Sequence, residues 1–167
     1  MRKLFFLFLI VSQVVVAQQK QMTLEDAILG RYMGLNPETL NGLSWKNENT
    51  FTYLKNDTLW LETAKKEGKT PLISRDEINA LLKSSSATEL RNFPSYSWLN
   101  NSELLLQNSS TFLVIDTEKK EVVYTIVLPQ EAENAVFNKS RKFVSYTKGD
   151  NLFVSFANGK QTQITSD

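Results

Sequence analysis

The stretch Ser44–Thr63, SWKNENTFTYLKNDTLWLET, decides how the rest of the chain is read. Phe51 and Tyr53 alternate with Thr52 and Leu54, Asn56-Asp57 is a turn signal, and Leu59 and Leu61 then point to one face with Trp60 on the other. Period-two alternation broken by a two-residue polar turn is the pattern of a β-hairpin. KKEGKT, residues 65–70, makes a second turn, and PLI, residues 71–73, starts a third strand.

The layout returns in residues 97–128, SWLNNSELLLQNSSTFLVIDTEKKEVVYTIVL. Leu104 and Leu106 stand at the same offsets from Trp98 as Phe51 and Tyr53 do from Trp45. Phe112 and Val114 match Leu59 and Leu61, and DTEKKE takes the place of ETAKKEGK as the turn. A looser third copy is VFNKSRKFVSYTKGDNLFVSFANGKQTQIT, residues 136–165. There Phe137 takes the tryptophan place, and Val144, Tyr146, Leu152 and Val154 align if one residue is added after Phe137. A repeat of about 40 residues, built of three or four short antiparallel strands, predicts β-propeller blades, with the leading aromatic of each unit packed between blades. The fold class expected is therefore all-β: about three blades in an incomplete ring, with short helices at the N-terminus and after the first blade. A β-sandwich is the plain alternative.

Three helix starts are legible. Thr23 and Asp26 have capping-box spacing before Ala27, Ile28 and Leu29, and Gly30 supplies a stop. Asn36 and Pro37 in NPETL form a cap and first helical position. Ser74 and Glu77 in SRDEINALLK repeat the capping box, and Ile78, Leu81 and Leu82 give that helix an apolar face. This last helix is inserted between the first two repeats.

Met1-Arg2-Lys3 followed by the apolar run Leu4 to Val16 and Ala17 reads as a secretory signal peptide cleaved after Ala17. At about 13 apolar residues the run is short for a membrane span. The chain is expected to be exported, to the periplasm or beyond, without membrane attachment after cleavage. It carries no cysteine, so its fold rests on packing alone, as in a bacterial envelope protein. The Asn-x-Ser/Thr sites at Asn56, Asn100, Asn108 and Asn138 then read simply as polar turns. The domain reading is 1–17 signal peptide, 18–43 short-helix segment, and 44–167 partial propeller. Three blades are too few for a closed ring, so the sequence is expected to be the N-terminal part of a longer protein.

Composition excludes much chemistry. The 19 basic and 18 acidic residues leave a net charge of +1, which argues against a nucleic-acid partner. With no histidine and no cysteine there is no Ser-His or Cys-His nucleophile and no imidazole or thiolate metal ligand. The six glycines form no phosphate-cradling loop. Glu25, Asp26, Asp76 and Glu77 are explained by helix N-termini. Glu131 and Glu133 lie in a polar loop. Trp45, Phe51, Tyr53, Trp60 and Trp98 are assigned to core and inter-blade packing, and EKKE and AKKEGK to solvated turns. No residue is singled out as catalytic, cofactor-binding or metal-binding, and no cofactor is expected.

Residues 22–45, MTLEDAILGRYMGLNPETLNGLSW, resemble the start of mature dipeptidyl peptidase IV-like proteins of the prolyl oligopeptidase family, of the Bacteroidetes type. The spacing of Leu24, Glu25, Gly30, Tyr32, Pro37, Gly42 and Trp45 follows that pattern, and LFVSFANGKQTQITSD, residues 152–167, looks like the blade-ending phrase of such propellers. The resemblance implies a serine exopeptidase that releases N-terminal dipeptides, typically after proline. A C-terminal α/β-hydrolase domain would carry Ser-Asp-His, with the serine in a G-x-S-x-G elbow. The propeller would limit access, provide acidic groups for the peptide N-terminus, and in the complete protein could take part in a homodimer. None of these residues has a counterpart here, and the arginine that some relatives place near the turn matching Gln107 to Ser110 is absent. The alternative is a non-enzymatic propeller module that binds or scaffolds in the bacterial envelope; an unrelated β-rich envelope protein is a third reading.

Overall fold

The computed structural model describes residues 23–30, 39–83, 89–140 and 142–166. The expected signal peptide and the helix start at Asn36-Pro37 lie outside them. The chain divides into two compact units, Met1–Thr39 and Leu40–Asp167. In the first, helix α1 (Leu24–Leu29) has the anticipated reciprocal cap between Thr23 and Asp26. Gly30 sits in right-handed helical geometry and not in the left-handed stop conformation, its N–H donating to the Asp26 carbonyl.

The second unit consists of three antiparallel four-stranded sheets. The first runs β1 (Asn41–Trp45), β2 (Thr50–Lys55), β3 (Thr58–Thr63) and β4 (Lys66–Ser74). The second runs β5 (Ser95–Trp98), β6 (Glu103–Asn108), β7 (Thr111–Asp116) and β8 (Glu121–Val127). The third runs β9 (Glu133–Asn138), β10 (Phe143–Lys148), β11 (Asn151–Phe156) and β12 (Gln161–Gln163). Every strand pairs with its sequence neighbour, as in a propeller blade. Helix α2 (Arg75–Leu82) is inserted after the first blade as expected.

Register confirms the repeat. Trp45 pairs with Phe51, Trp98 with Leu104, and Phe137 with Val144. The extra residue in the third copy is thus absorbed before Val144. Asn56 and Asp57 both have positive φ, 51° and 53°, the conformation a two-residue hairpin turn requires. Gly42, at φ 60°, occupies the irregular step between Asn41 and Ser44; a Cβ there would stand 3.1 Å from Leu54 Cδ1. The second turn is shorter than anticipated. Only Ala64 and Lys65 turn, and β4 already begins at Lys66, its two register shifts accommodating residues read from sequence as loop.

Two cores lie between the blades. Leu59 and Ile73 of the first blade meet Trp98, Leu104, Leu106, Leu113 and Ile115 of the second, with Ile78 and Leu82 of α2 closing this core. Leu105, Phe112, Val114, Ile126 and Leu128 of the second blade meet Val144 and Tyr146 of the third, and Phe137 stacks on Phe112 at 6.3 Å. Trp98 and Phe137 therefore take the inter-blade positions anticipated for them. Trp45 does not: it is 60% exposed whereas Trp98 is 8% exposed. Its indole meets the Phe51 ring edge-on at 5.8 Å, while Tyr53 on the same face is buried.

Tyr146 and Phe112 are among the largest fully buried side chains. Phe112→Ala removes an aromatic from the second core and its stacking partner from Phe137. It should cost about 3–5 kcal/mol in a denaturant titration, far more than Phe156→Ala on the outer face of the third blade.

Candidate functional site

The junction of the first two blades holds a buried polar cluster. Trp98 Nε1 donates to Thr52 Oγ1 at 3.0 Å, Thr52 Oγ1 lies 3.1 Å from the Tyr96 hydroxyl, and that hydroxyl donates to the Gly42 carbonyl. Burial pushes the Tyr96 phenol above its ordinary range, with the Thr52 hydrogen bond opposing. Lys46 Nζ stands 4.8 Å from the Trp98 ring centroid, and Lys139 Nζ reaches the Trp98 carbonyl at 3.2 Å. Residues of all three blades thus converge on Trp98. The cluster is closed and its groups satisfy one another; it ties blades together and leaves no reactive atom poised.

Two grooves among the described residues lie beside the turn between β6 and β7. One groove of about 540 Å³ is lined by Glu89, Arg91, Phe93, Ser95, Gln107 and Asn108, with Asn92 and Pro94. The second, about 450 Å³, is lined by Ser109, Ser110, Leu128, Gln130, Ala132 and Ala135. Amides, hydroxyls and small apolar groups, joined in the first groove by the charged Glu89 and Arg91, can receive a polypeptide through hydrogen bonds. Neither groove joins a nucleophile to a base. Among the described residues no three acidic side chains gather as a metal site.

Asp26, Asp76, Glu77 and Glu131, weighed in the sequence, have local partners. Asp26 caps α1. Glu77 accepts from the Ser74 amide at 2.7 Å and pairs with Lys120 at 3.3 Å. Partial burial raises its pKa, but the Ser74 bonds and Lys120 outweigh this and hold it below the ordinary carboxylate value. Asp76 pairs with Arg75, which also reaches Asp57 at 2.7 Å and the Arg91 carbonyl at 2.9 Å. Glu131 pairs with Lys148 at 3.5 Å, while Glu133 opens β9. No two of these acids converge on a groove.

Two structural roles escaped sequence reasoning. EKKE is more than a solvated turn: Lys120 folds back to the Leu72 carbonyl and Glu77, tying the second blade to α2. From sequence Thr52 has no role beyond its place in the hairpin, yet it is fully buried. No local signal marks either, because their partners lie more than 40 residues away.

Asp116 accepts from the backbone N–H groups of Lys119 and Glu118 at 2.9 Å, and the Lys119 bond is the chief reason its pKa falls below the ordinary value. A depressed carboxylate stabilises the fold above its unfolded pKa, and that contribution is lost as pH falls through the folded one. Asp116→Asn keeps an acceptor oxygen without the charge. Acid titration of unfolding should show a shallower loss of stability for this variant than for the parent. Thr52→Val should cost about 1–3 kcal/mol by leaving the buried indole N–H unpaired. Thr52→Ser should recover most of that loss in the same urea titration.

No protein-family model matches the sequence, and no curated protein matches it. Solved structures do. A structure from Bacteroides ovatus described as a dipeptidyl aminopeptidase IV is 25% identical, with a TM-score of 0.67 over 78% of this chain. Porphyromonas gingivalis dipeptidyl peptidase 4 is 13% identical, with a TM-score of 0.46, covering 89% of this chain and 22% of its own. This chain spans 18% of the length of the Bacteroides ovatus chain. Over most of its length, then, it is similar in fold, and at one position in four in sequence, to part of a dipeptidyl peptidase IV-like protein.

Proposed function

We propose that this chain is the N-terminal propeller portion of an exported dipeptidyl peptidase IV-like serine exopeptidase. Its part would be to shape access of peptides to a catalytic domain carried elsewhere. The observation that supports this reading is the likeness of four fifths of the chain to a dipeptidyl aminopeptidase IV structure about five times longer than the aligned region. The chemistry of the chain is compatible with it. A sequence without histidine cannot supply the triad base, and the grooves beside Ser109-Ser110 offer hydrogen-bonding groups and small apolar surface. The complete protein would place Ser-Asp-His on an α/β-hydrolase domain and act on peptides whose second residue is typically proline. Export, with cleavage after Ala17, belongs to this reading, as does the division into residues 1–17, 18–43 and 44–167. A non-enzymatic propeller module of the envelope is the second reading, favoured by the local pairing of Asp26, Asp76, Glu77 and Glu131.

The test is the intact mass of the native protein, followed by assay on a chromogenic X-Pro dipeptide substrate. A species several times heavier than 19.1 kDa that releases the dipeptide is expected. The 167-residue chain alone should release none at any pH. A native species at the mass of this chain, inactive on the substrate, would replace the peptidase reading with the binding module.

A further inference from the structure

The sequence contains two Asn-Gly steps, Asn41-Gly42 and Asn158-Gly159. Glycine has no side chain to shield its own backbone nitrogen, and it moves more freely than any other residue. An Asn-Gly step is therefore where a main-chain nitrogen most readily reaches the carboxamide carbon of the asparagine before it. The structure puts the two steps in opposite settings.

Asn41 opens β1 and pairs with Leu54 of β2. Gly42 is held from two sides. Its carbonyl accepts the Tyr96 hydroxyl of the second blade, and a Cβ on it would stand 3.1 Å from Leu54 Cδ1 and 3.4 Å from Tyr96 Cε1. The same hydroxyl lies 3.1 Å from Thr52 Oγ1, which receives the Trp98 indole. Freeing this step means loosening the junction of two blades.

Asn158-Gly159 lies in the turn between β11 and β12, and Ala157, Asn158, Gly159 and Lys160 are all exposed. Gly159 has φ 80°, in the left-handed region that hairpin turns use, and a Cβ on it would meet nothing within 4 Å. Asn158 Oδ1 accepts the Lys160 N–H at 3.0 Å, which orients the carboxamide and draws electrons from its carbon. Two turn bonds restrain the step: Gly159 N–H to the Phe156 carbonyl at 3.0 Å, and Phe156 N–H to the Lys160 carbonyl at 2.9 Å. Strand β12 is only three residues long, so breaking them needs no more than fraying at the end of a hairpin.

We propose that Asn158 is a site of spontaneous covalent modification and that the fold spares Asn41. Solvent base takes the proton of the Gly159 nitrogen, which attacks Cγ of Asn158. A C–N bond forms, the bond from Cγ to Nδ2 breaks, and ammonia leaves after taking a proton from water. Water then opens the five-membered imide at either carbonyl, giving aspartate or isoaspartate. One water enters, one ammonia departs, and nothing is oxidised or reduced. Either product adds a negative charge to the turn. Isoaspartate also routes the main chain through Cβ and lengthens the turn that closes β12 on β11.

Peptide mapping of the native protein, aged at mildly alkaline pH, tests this, since the tryptic peptides 149–160 and 32–46 separate the two sites. In the folded protein Asn158 should convert at least about tenfold faster than Asn41, because only its turn opens locally. In urea the two rates should come together. Asn158→Gln should silence the turn and leave the Asn41 rate unchanged. Equal rates at the two sites in the folded protein overturn the proposal. So does an Asn158 that stays intact while the urea-unfolded control converts. The readout is independent of peptidase activity.

Discussion

A four-stranded antiparallel sheet has two faces and no interior, so each blade depends on what is stacked against it. The second blade shows the condition met. Leu104, Leu106, Leu113 and Ile115 are covered from one side, and Leu105, Phe112, Val114 and Ile126 from the other. Strand β7 is consequently buried from Phe112 through Asp116 with no alternation. At roughly 1.5–3 kcal/mol for each large apolar side chain taken out of water, these two junctions outweigh any single hairpin. An isolated hairpin is marginal in water, and a stack of them is not.

Polar groups fix how the stack is joined. Thr52, Tyr96 and Trp98 pair across the first junction at a depth where an unpaired donor would be costly, which penalises sliding of one blade against the next. Helix α2 closes the same core through Ile78 and Leu82. Arg75 holds it to the Asp57 turn at its start, and Lys120 reaches Glu77 from the second blade. The long interval between the first two repeats is thus a structural insert that covers apolar surface.

Several carboxylates are held in caps and blade-to-blade ties, and the grooves beside Ser109-Ser110 offer amides and hydroxyls, with Glu89 and Arg91 lining one of them. Such a surface can orient a ligand or bound a chamber. The likeness to known structures is likewise to a fraction of a dipeptidyl peptidase IV-like chain.

The amino-acid sequence alone determined whatever depends on neighbours a few residues apart. The hairpin turn at Asn56-Asp57, the capping boxes at Thr23 and Ser74, the offsets from Trp45, Trp98 and Phe137, and hence the blade repeat were all legible. Tertiary structure alone decided which faces are covered. Period-two alternation marks a solvent face only where one side of a sheet stays wet, so it could not show that Thr52 is buried or that Trp45 is exposed. It also decided that Lys120 binds α2 and that β4 begins at Lys66, because those outcomes rest on partners brought close only when the blades stack and pair.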